Sequence, residues 1–429
     1  CKLMYDVLVI GGGAAGFYAA IHVAEARPNT KIAILERGKE VLTKVKISGG
    51  GRCNVTHAEF DPQELSKNYP RGEKELLGPF HTYASGDTVG FFEERGVSLK
   101  IEEDGRMFPD SNSSQTIIDC FMSETERLGV EVKTLCAVSG VEQIQHEDGV
   151  LWKVKVAEKF LLARNLIVAT GSNPKIWKHI EELGHTIVPP VPSLFTFNIK
   201  DDRISGIPGL ATHAEVTVMP KKKHGANSKK AKLETANLIS DGPLLITHWG
   251  VSGPAILKLS AWGARVLEHY NYQFKIQVNW VPEYHKDGLL ELFLKVKQDE
   301  KKTVLRTKVL DIPKRLWANL IKASHIDDST TWPEVSKQQL VMLAEQLTTS
   351  IFQVNGKSTF KEEFVTAGGI DLKEINFKTY QSKILSNLYF AGEIINIDAI
   401  TGGFNFQNAW TGGFIAAKGV VQELNKIQQ

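Results

Sequence analysis

The chain has 429 residues, 42% hydrophobic and 23% charged, and 51 Lys+Arg against 49 Asp+Glu leave a net charge of +2. This is the balance of an ordinary globular protein of two or three domains, with no overall field to draw nucleic acid or a membrane surface. Cys1, Cys53, Cys120 and Cys136 show no zinc spacing, C-x-x-C pair or disulfide framework; with no apolar run of membrane-spanning length and no room for a signal peptide, a reducing cytoplasm is the expected setting.

The first predicted element is a strand, Val7-Leu8-Val9-Ile10, which breaks into Gly11-Gly12-Gly13-Ala14-Ala15-Gly16 and then a helix to about Ala26. G-x-G-x-x-G at a strand-to-helix turn is a dinucleotide fingerprint. Gly11 permits the turn, Gly13 lets backbone approach a pyrophosphate, and Gly16 lets helix and sheet pack closely. The phosphates would lie on free N–H groups at the positive end of the helix, beside Ala14 and Ala15. Arg27-Pro28-Asn29 stops the helix. A second strand, Lys31 to Leu35, ends at Glu36, 20 residues beyond Gly16. That is where the fingerprint places an acid for the ribose hydroxyls, with Arg37 beside it.

The next segment is Lys44-Val45-Lys46-Ile47-Ser48-Gly49-Gly50-Gly51-Arg52-Cys53-Asn54-Val55-Thr56. Gly49, Gly50 and Gly51 expose backbone N–H groups with no side chain in the way. Lys44, Ser48, Arg52 and Asn54 would add polar contacts to phosphate, ribityl or ring atoms. A nicotinamide enzyme needs no second glycine loop beside the first, so the pattern favours a flavin dinucleotide. Cys53, with no partner cysteine nearby, is expected to pack beside the cofactor rather than act as a redox thiol. Asp104-Gly105 reads as a hairpin turn whose Arg106 and Phe108 either reach the cleft or simply pack. A helix is expected over Thr116 to Leu128, stopped by Gly129. Val138 is a further candidate cofactor contact. The apolar strand Asn165 to Val168, ending in Ala169-Thr170-Gly171, would return the sheet to the adenosine and diphosphate side.

Val188-Pro189-Pro190-Val191-Pro192 is a stiff break and a natural boundary. Beyond it, short strands are expected at Phe195 to Ile199, Ala214 to Met219, Leu244 to Thr247 and Tyr272 to Trp280, and a helical pattern from about Gly288 to Ile351. Between lies a basic stretch, Lys221-Lys222-Lys223-His224 with Lys229, Lys230 and Lys232. No aromatic residue interleaves to stack a base, so a solvated hairpin tip is expected and a nucleic-acid partner is not favoured. His248-Trp249-Gly250-Val251-Ser252-Gly253-Pro254 either carries a histidine over the flavin or is a strand-to-helix turn with Pro254 opening the helix. No second G-x-G-x-x-G lies between Gly171 and Gly356. NAD(P)H would therefore dock only transiently as a reductant, and a substrate donating hydride directly fits equally well.

Near the end of the chain Leu388-Tyr389-Phe390-Ala391-Gly392-Glu393 reads as a strand with an acid at its carboxyl end, Glu393 facing ribityl or ribose hydroxyls. Thr401-Gly402-Gly403-Phe404-Asn405 then opens a helix. N–H groups from Gly402 to Asn405 would face the flavin N1–C2=O edge, where negative charge gathers on reduction.

GGGAAG, KISGGGRCNVT, DGRMFP, THWGVSGPAIL and YFAGEIINIDAITGGFNFQNA together span nearly the whole chain in order. On these motifs the chain resembles the HI0933-like flavoproteins, the aminoacetone-oxidase or BaiN-like family. The resemblance implies an α/β architecture: a three-layer Rossmann-type FAD-binding domain split by an inserted β-barrel plus helical domain. The flavin domain would comprise 1–190 and 356–429, the β-rich insert 191–287 and its helical part 288–355. Asp398-Ala399-Ile400 and Phe404-Asn405-Phe406-Gln407 are milder variants of the family pattern, which would alter the flavin-face pocket. FAD is expected to be non-covalent, since no His or Cys sits where a linkage would be demanded, and no metal site is expected. The implied activity is that of an FAD-dependent oxidoreductase (dehydrogenase, reductase or oxidase) moving hydride between flavin N5 and a small organic substrate or NAD(P)H. A redox sensor and a flavoenzyme acting on RNA are the alternatives. No catalytic side chain and no oligomeric state can be named from the sequence.

Overall fold

Strand β1 (Met4–Ile10) is buried along most of its length, as a parallel strand covered on both faces should be. It belongs to a computed structural model that describes residues 4–147, 149–220, 238–358 and 365–426. The chain divides into two compact units, 1–191 with 365–429, and 192–364.

In the first unit β1 is followed by helix α1 (Ala14–Ala26), β2 (Ile32–Leu35), helix α2 (Thr43–Gly51), β3 (Thr56–His57), β4 (Leu99–Ile101) and β5 (Arg106–Pro109). Then come β6 (Glu131–Lys133), β7 (Val138–His146), β8 (Gly149–Val156), β9 (Lys159–Val168) and β10 (Ile187–Pro192). β2 and β9 flank β1 in parallel, and β6 pairs parallel with β2. β9 is long enough to meet two partners on its other side. Its first half pairs antiparallel with β8, and its last residues pair parallel with β21 (Leu388–Phe390). The register sets Ile10 opposite both Leu35 and Val168, and Val168 opposite Phe390. Four carboxyl ends therefore finish level. In an open α/β sheet that edge is where ligands bind.

The Phe404–Lys426 helix packs on α1, and small residues set the approach. A Cβ on Gly413 would lie 2.9 Å from the Ala15 carbonyl oxygen, and one on Gly392 would lie 3.0 Å from Ala15 Cβ. β3, β4 and β5 form a small antiparallel sheet. β10, the expected stiff break, is instead a strand paired with β18 (Thr366–Ile370). Proline is tolerated in such an edge strand because it removes only a donor that a central strand would need.

The second unit carries β11 (Thr196–Asn198), β12 (Ala211–Met219), β13 (Ile239–Ile246), β14 (Gly250–Ser252), β15 (Gln273–Asn279), β16 (Ser350–Asn355) and β17 (Lys357–Ser358). They form a seven-stranded sheet in the order β16-β15-β12-β13-β14-β11-β17. The expected barrel is not found: among the described residues the sheet stays open, with β16 and β17 as its edges. Helices Lys286–Asp299, Lys314–Ala323 and Lys337–Thr348 lie between β15 and β16 in sequence and contribute Phe293, Leu320 and Leu343 to one buried cluster that they share with the sheet. The basic stretch at Lys221 to Lys232 lies outside the described residues.

Candidate functional site

The glycine turn after β1 divides its labour among three positions. Gly11 has φ 113°, and a Cβ there would lie 2.4 Å from the Ala169 carbonyl oxygen. A Cβ on Gly16 would lie 2.1 Å from the Gly11 oxygen, so helix and turn meet only through glycine. Around Gly13 the space is open, with nothing within 4 Å of a built Cβ. Its neighbours start α1, whose first internal bond runs from Phe17 N–H to the Gly13 oxygen at 3.1 Å. The N–H groups before it, through Ala14, Ala15 and Gly16, point out of the helix end without an intrahelical acceptor.

Glu36, at the end of β2, is already fixed by backbone. One carboxylate oxygen accepts from Gly12 N–H at 2.9 Å and the other from Gly38 N–H at 2.7 Å. A carboxylate has about four acceptor positions, so two remain for hydroxyls of a ligand. Arg37 beside it is exposed. Cys136 N–H bonds the Glu36 carbonyl at 2.8 Å and so brings Val138, the first residue of β7, alongside this strand end.

Ala169-Thr170-Gly171 follows β9. Thr170 Oγ1 is buried with no partner among the described residues, an unsatisfied hydroxyl beside the turn at Gly11. Gly171 faces Glu393, whose carboxylate oxygen would stand 3.5 Å from a Cβ there. Glu393 accepts from Thr366 N–H at 3.1 Å and forms an ion pair with Lys44 of α2.

The glycine run from Gly49 to Gly51 is not a plain loop. α2 runs into it, and the helix breaks at Ser48 (ψ 149°), Gly49 (φ 58°) and Gly50 (φ 68°). Left-handed backbone of this kind suits glycine and strains other residues. The Ser48 hydroxyl is spent on the Val45 carbonyl at 3.0 Å, within the same turn. Cys53 is fully buried with φ 61°, and burial pushes its thiol up to about 12. It stays protonated near neutrality, which agrees with a packing role and not a thiolate one. Asn54 ties this segment to the far end of the chain. Its amide donates to the Thr56 carbonyl at 3.0 Å and accepts from Gly403 N–H at 2.9 Å. His57 Nδ1 bonds the Gly402 carbonyl at 3.0 Å, and its ring stacks on Phe404.

Beyond Gly402 and Gly403 the Phe404–Lys426 helix begins, with Gln407 N–H to the Gly403 oxygen at 3.0 Å as its first bond. The Asn405 side chain is used on the backbone of Ala399, donating at 3.2 Å and accepting at 3.0 Å. Only its N–H, with those of Phe404 and Phe406, is left at the positive helix end.

Sequence reasoning passed over the groups that hold this turn. Gln407 is fully buried and accepts from Thr56 at 2.6 Å and Thr88 at 3.0 Å, while its amide donates to Thr411 at 3.1 Å. Asp398, also fully buried, pairs with Arg71. Tyr69 donates to the Phe404 carbonyl at 2.6 Å. The available signal was polar Gln407 and Thr411, four apart, on one face of a helical stretch that also carries Phe404, Phe406 and Trp410. Arg106 and Phe108 lie in β5, just after a tight turn closed by Gly105 N–H to the Glu102 oxygen at 2.9 Å and Glu102 N–H to the Arg106 oxygen at 2.8 Å. In the second unit His248 and Trp249 sit exposed on the turn between β13 and β14, and Pro254 opens the Pro254–Trp262 helix. Among the described residues no cluster of His, Cys, Asp or Glu could hold a metal, and no helix is long and apolar enough to cross a membrane.

A profile of the HI0933-like protein Rossmann domain matches residues 5–419. The chain belongs to this family. It is 27% identical over 427 residues to a ribosomal RNA dihydrouridine synthase of Haemophilus influenzae, covering 97% of this chain and 98% of that one. It is 26% identical over 431 residues to the 3-dehydro-bile acid delta(4,6)-reductase of Clostridium scindens, covering 98% of this chain and all of the other. A solved 3-ketosteroid-delta4-(5alpha)-dehydrogenase from Rhodococcus jostii RHA1 aligns over 97% of both chains at 12% identity with a TM-score of 0.49, too distant a likeness to carry an argument. Like its family, this HI0933-like chain is an FAD-dependent oxidoreductase. The open cradle at Gly13, the spare acceptor positions on Glu36 and the unsatisfied Thr170 hydroxyl fit such a cofactor.

Proposed function

We propose that this HI0933-like protein saturates a carbon–carbon double bond conjugated to a carbonyl. The observation that carries the reading is a bond shared by two unlike relatives. A dihydrouridine synthase saturates the uracil double bond conjugated to its carbonyl, and a delta(4,6)-reductase of a 3-dehydro-bile acid acts on a conjugated enone. RNA and a steroid acid have little else in common.

The chain's residues divide the work as follows. N–H groups of Gly13, Ala14, Ala15 and Gly16 would hold the pyrophosphate, and Glu36 the adenosine ribose, with Val138 beside it. Thr170, Gly171, Glu393 and Lys44 would line the ribityl path, and Gly49 to Gly51 would let the ring approach backbone. When bound, FAD supplies a hydride at N5 after accepting two electrons from a donor. First-turn N–H groups of Phe404 and Asn405, with their helix dipole, favour negative charge placed against them. Asn54 keeps Gly403 in place for that task.

The test is anaerobic. Protein whose flavin has been bleached by dithionite is mixed with a uridine-containing ribosomal RNA fragment or with a 3-oxo-4,6-diene bile acid. Return of the yellow absorbance together with a product heavier by two hydrogens is expected for at least one of them. Recolouring by neither, above the buffer control, sinks the reading. The same mixing experiment with NADH and NADPH, watching bleaching, identifies the donor.

A further inference from the structure

Arg52, in the glycine segment, is anchored by the hairpin that follows it in the chain. Its guanidinium lies over the Phe108 ring, 3.9 Å from the centroid, and donates through Nη1 to Glu102 Oε1 at 2.5 Å. Glu102 offers its second oxygen to Arg106 Nη2 at 3.4 Å, and Arg106 is held in turn by Asp104, Nε to Oδ2 at 2.7 Å. Phe108 is fully buried in β5, where pairing with β4 sets it opposite Lys100. One edge and one face of Arg52 are thus fastened to a rigid hairpin. Its Nη2 and Nε have no partner among the described residues, and the side chain is 33% exposed. Next to it, a Cβ on Gly50 or Gly51 would meet nothing within 4 Å.

Two features separate this arginine from a phosphate anchor. All its contacts are with the β4–β5 hairpin and none with the Gly13–Gly16 turn. Its charge is also already met by Glu102, which suits a neutral oxygen ligand better than a doubly charged phosphate. A planar fork held this way loses little freedom on binding and presents two parallel donors.

We propose that Arg52 is a catalytic residue that donates, through its free N–H edge, to the carbonyl oxygen of the conjugated substrate. The inference rests on the double-bond reading above. Hydride adds to the β-carbon, and the alkene pair shifts to join the α-carbon to the carbonyl carbon. The carbonyl π pair moves onto the oxygen facing Arg52. A proton from water then bonds the α-carbon and the carbonyl re-forms. The substrate gains two electrons and two hydrogens. The hydride would come from FAD held by the residues named above, and a nicotinamide or other two-electron donor would replace it. Arg52 contributes most when the oxygen carries charge, so its effect falls on the chemical step.

The experiment uses full-length protein and three variants, Arg52→Met, Arg52→Lys and Glu102→Gln. Arg52→Met should keep wild-type flavin content and melting temperature. Its recolouring rate with the substrate that recolours wild type should fall about 10²–10³-fold. Binding of that substrate to the oxidised protein, read from perturbation of the flavin spectrum, should weaken only about tenfold, the worth of one charge-assisted hydrogen bond. Arg52→Lys should recover part of the rate, and Glu102→Gln should lower it by loosening the guanidinium. Loss of flavin from Arg52→Met with an unchanged rate per bound flavin would make Arg52 a cofactor anchor and overturn the proposal. So would a variant that matches wild type. Failure of wild type with both substrates overturns the double-bond reading itself, a result distinct from either.

Discussion

At the scale of single residues, the three glycines after β1 make opposite demands that substitution can separate. Alanine at Gly16 would drive its methyl to 2.1 Å from the Gly11 oxygen, so Gly16→Ala should cost about 3 kcal/mol of stability and abolish flavin retention. Alanine at Gly13 meets nothing in the protein itself. Gly13→Ala should therefore leave the melting temperature of flavin-free protein unchanged while lowering FAD content. Thermal melts of apo and FAD-loaded samples decide both; a flavin-replete Gly13→Ala protein would show that the cradle is not where the pyrophosphate lies. Glu36 belongs to the same scale. Removing its carboxylate in Glu36→Ala strands the Gly12 and Gly38 N–H groups, a loss of about 1–3 kcal/mol per buried unpaired group even before any ligand is considered.

At the scale of elements, α1 carries a titratable group with a pH signature. His22 is packed among Tyr18, Tyr83, Phe91 and Phe414, and its Nε2 is buried without a partner. Burial, with a contribution from Arg95, lowers it to about 3. Glu25 approaches Nδ1 to 3.7 Å but is already held by Arg95 at 2.5 Å. A histidine kept neutral in the fold costs nothing above its unfolded pKa of about 6.5. Below that the unfolded chain binds a proton the native one refuses, so stability falls between about pH 6.5 and 3, by about 2 kcal/mol at pH 5. Urea midpoints at pH 7 and pH 5 should show this loss in wild type and much less of it in His22→Phe; equal slopes in the two proteins would refute it. The helix after Gly403 depends on a different device. Gln407→Leu should cost about 2–4 kcal/mol, since Thr56 and Thr88 lose the acceptor they share and Thr411 loses a donor inside a fully buried cluster. These elements also mark what the sequence discloses. That Gly11 and Gly16 must be glycine was legible because a local backbone need selects the residue. So were β1, β2 and the last residues of β9, whose apolar runs require two covered faces. The pairing of Asn54 with Gly403, of Arg71 with Asp398 and of Gln407 with Thr56 joins residues more than 300 positions apart, and no local propensity records it. The barrel that the family resemblance implied is not found among the described residues: closure depends on edge strands meeting in space, which no single motif specifies.

At the scale of the whole molecule, each unit owns a separate buried cluster, one built around β1, β9 and the Phe404–Lys426 helix and the other around the second sheet and its helices. Replacing 192–364 by a short Gly/Ser turn should leave a folded, flavin-binding protein with the yellow spectrum and a cooperative melt. A colourless or uncooperative product would show that the first unit cannot stand without the second. The β10–β18 pairing has a consequence for how such proteins diversify. A Cβ on Gly368 would lie 2.6 Å from the Pro190 backbone, and Asp371 N–H bonds the Thr186 carbonyl at 2.9 Å, so the chain leaves and re-enters the first unit through adjoining threads. Whatever lies between them is, topologically, an oversized hairpin loop. Evolution or an engineer can exchange that cassette without re-registering the parallel strands. A chimaera grafted at this seam from the bile-acid reductase would reveal which half of the polypeptide carries that relative's selectivity.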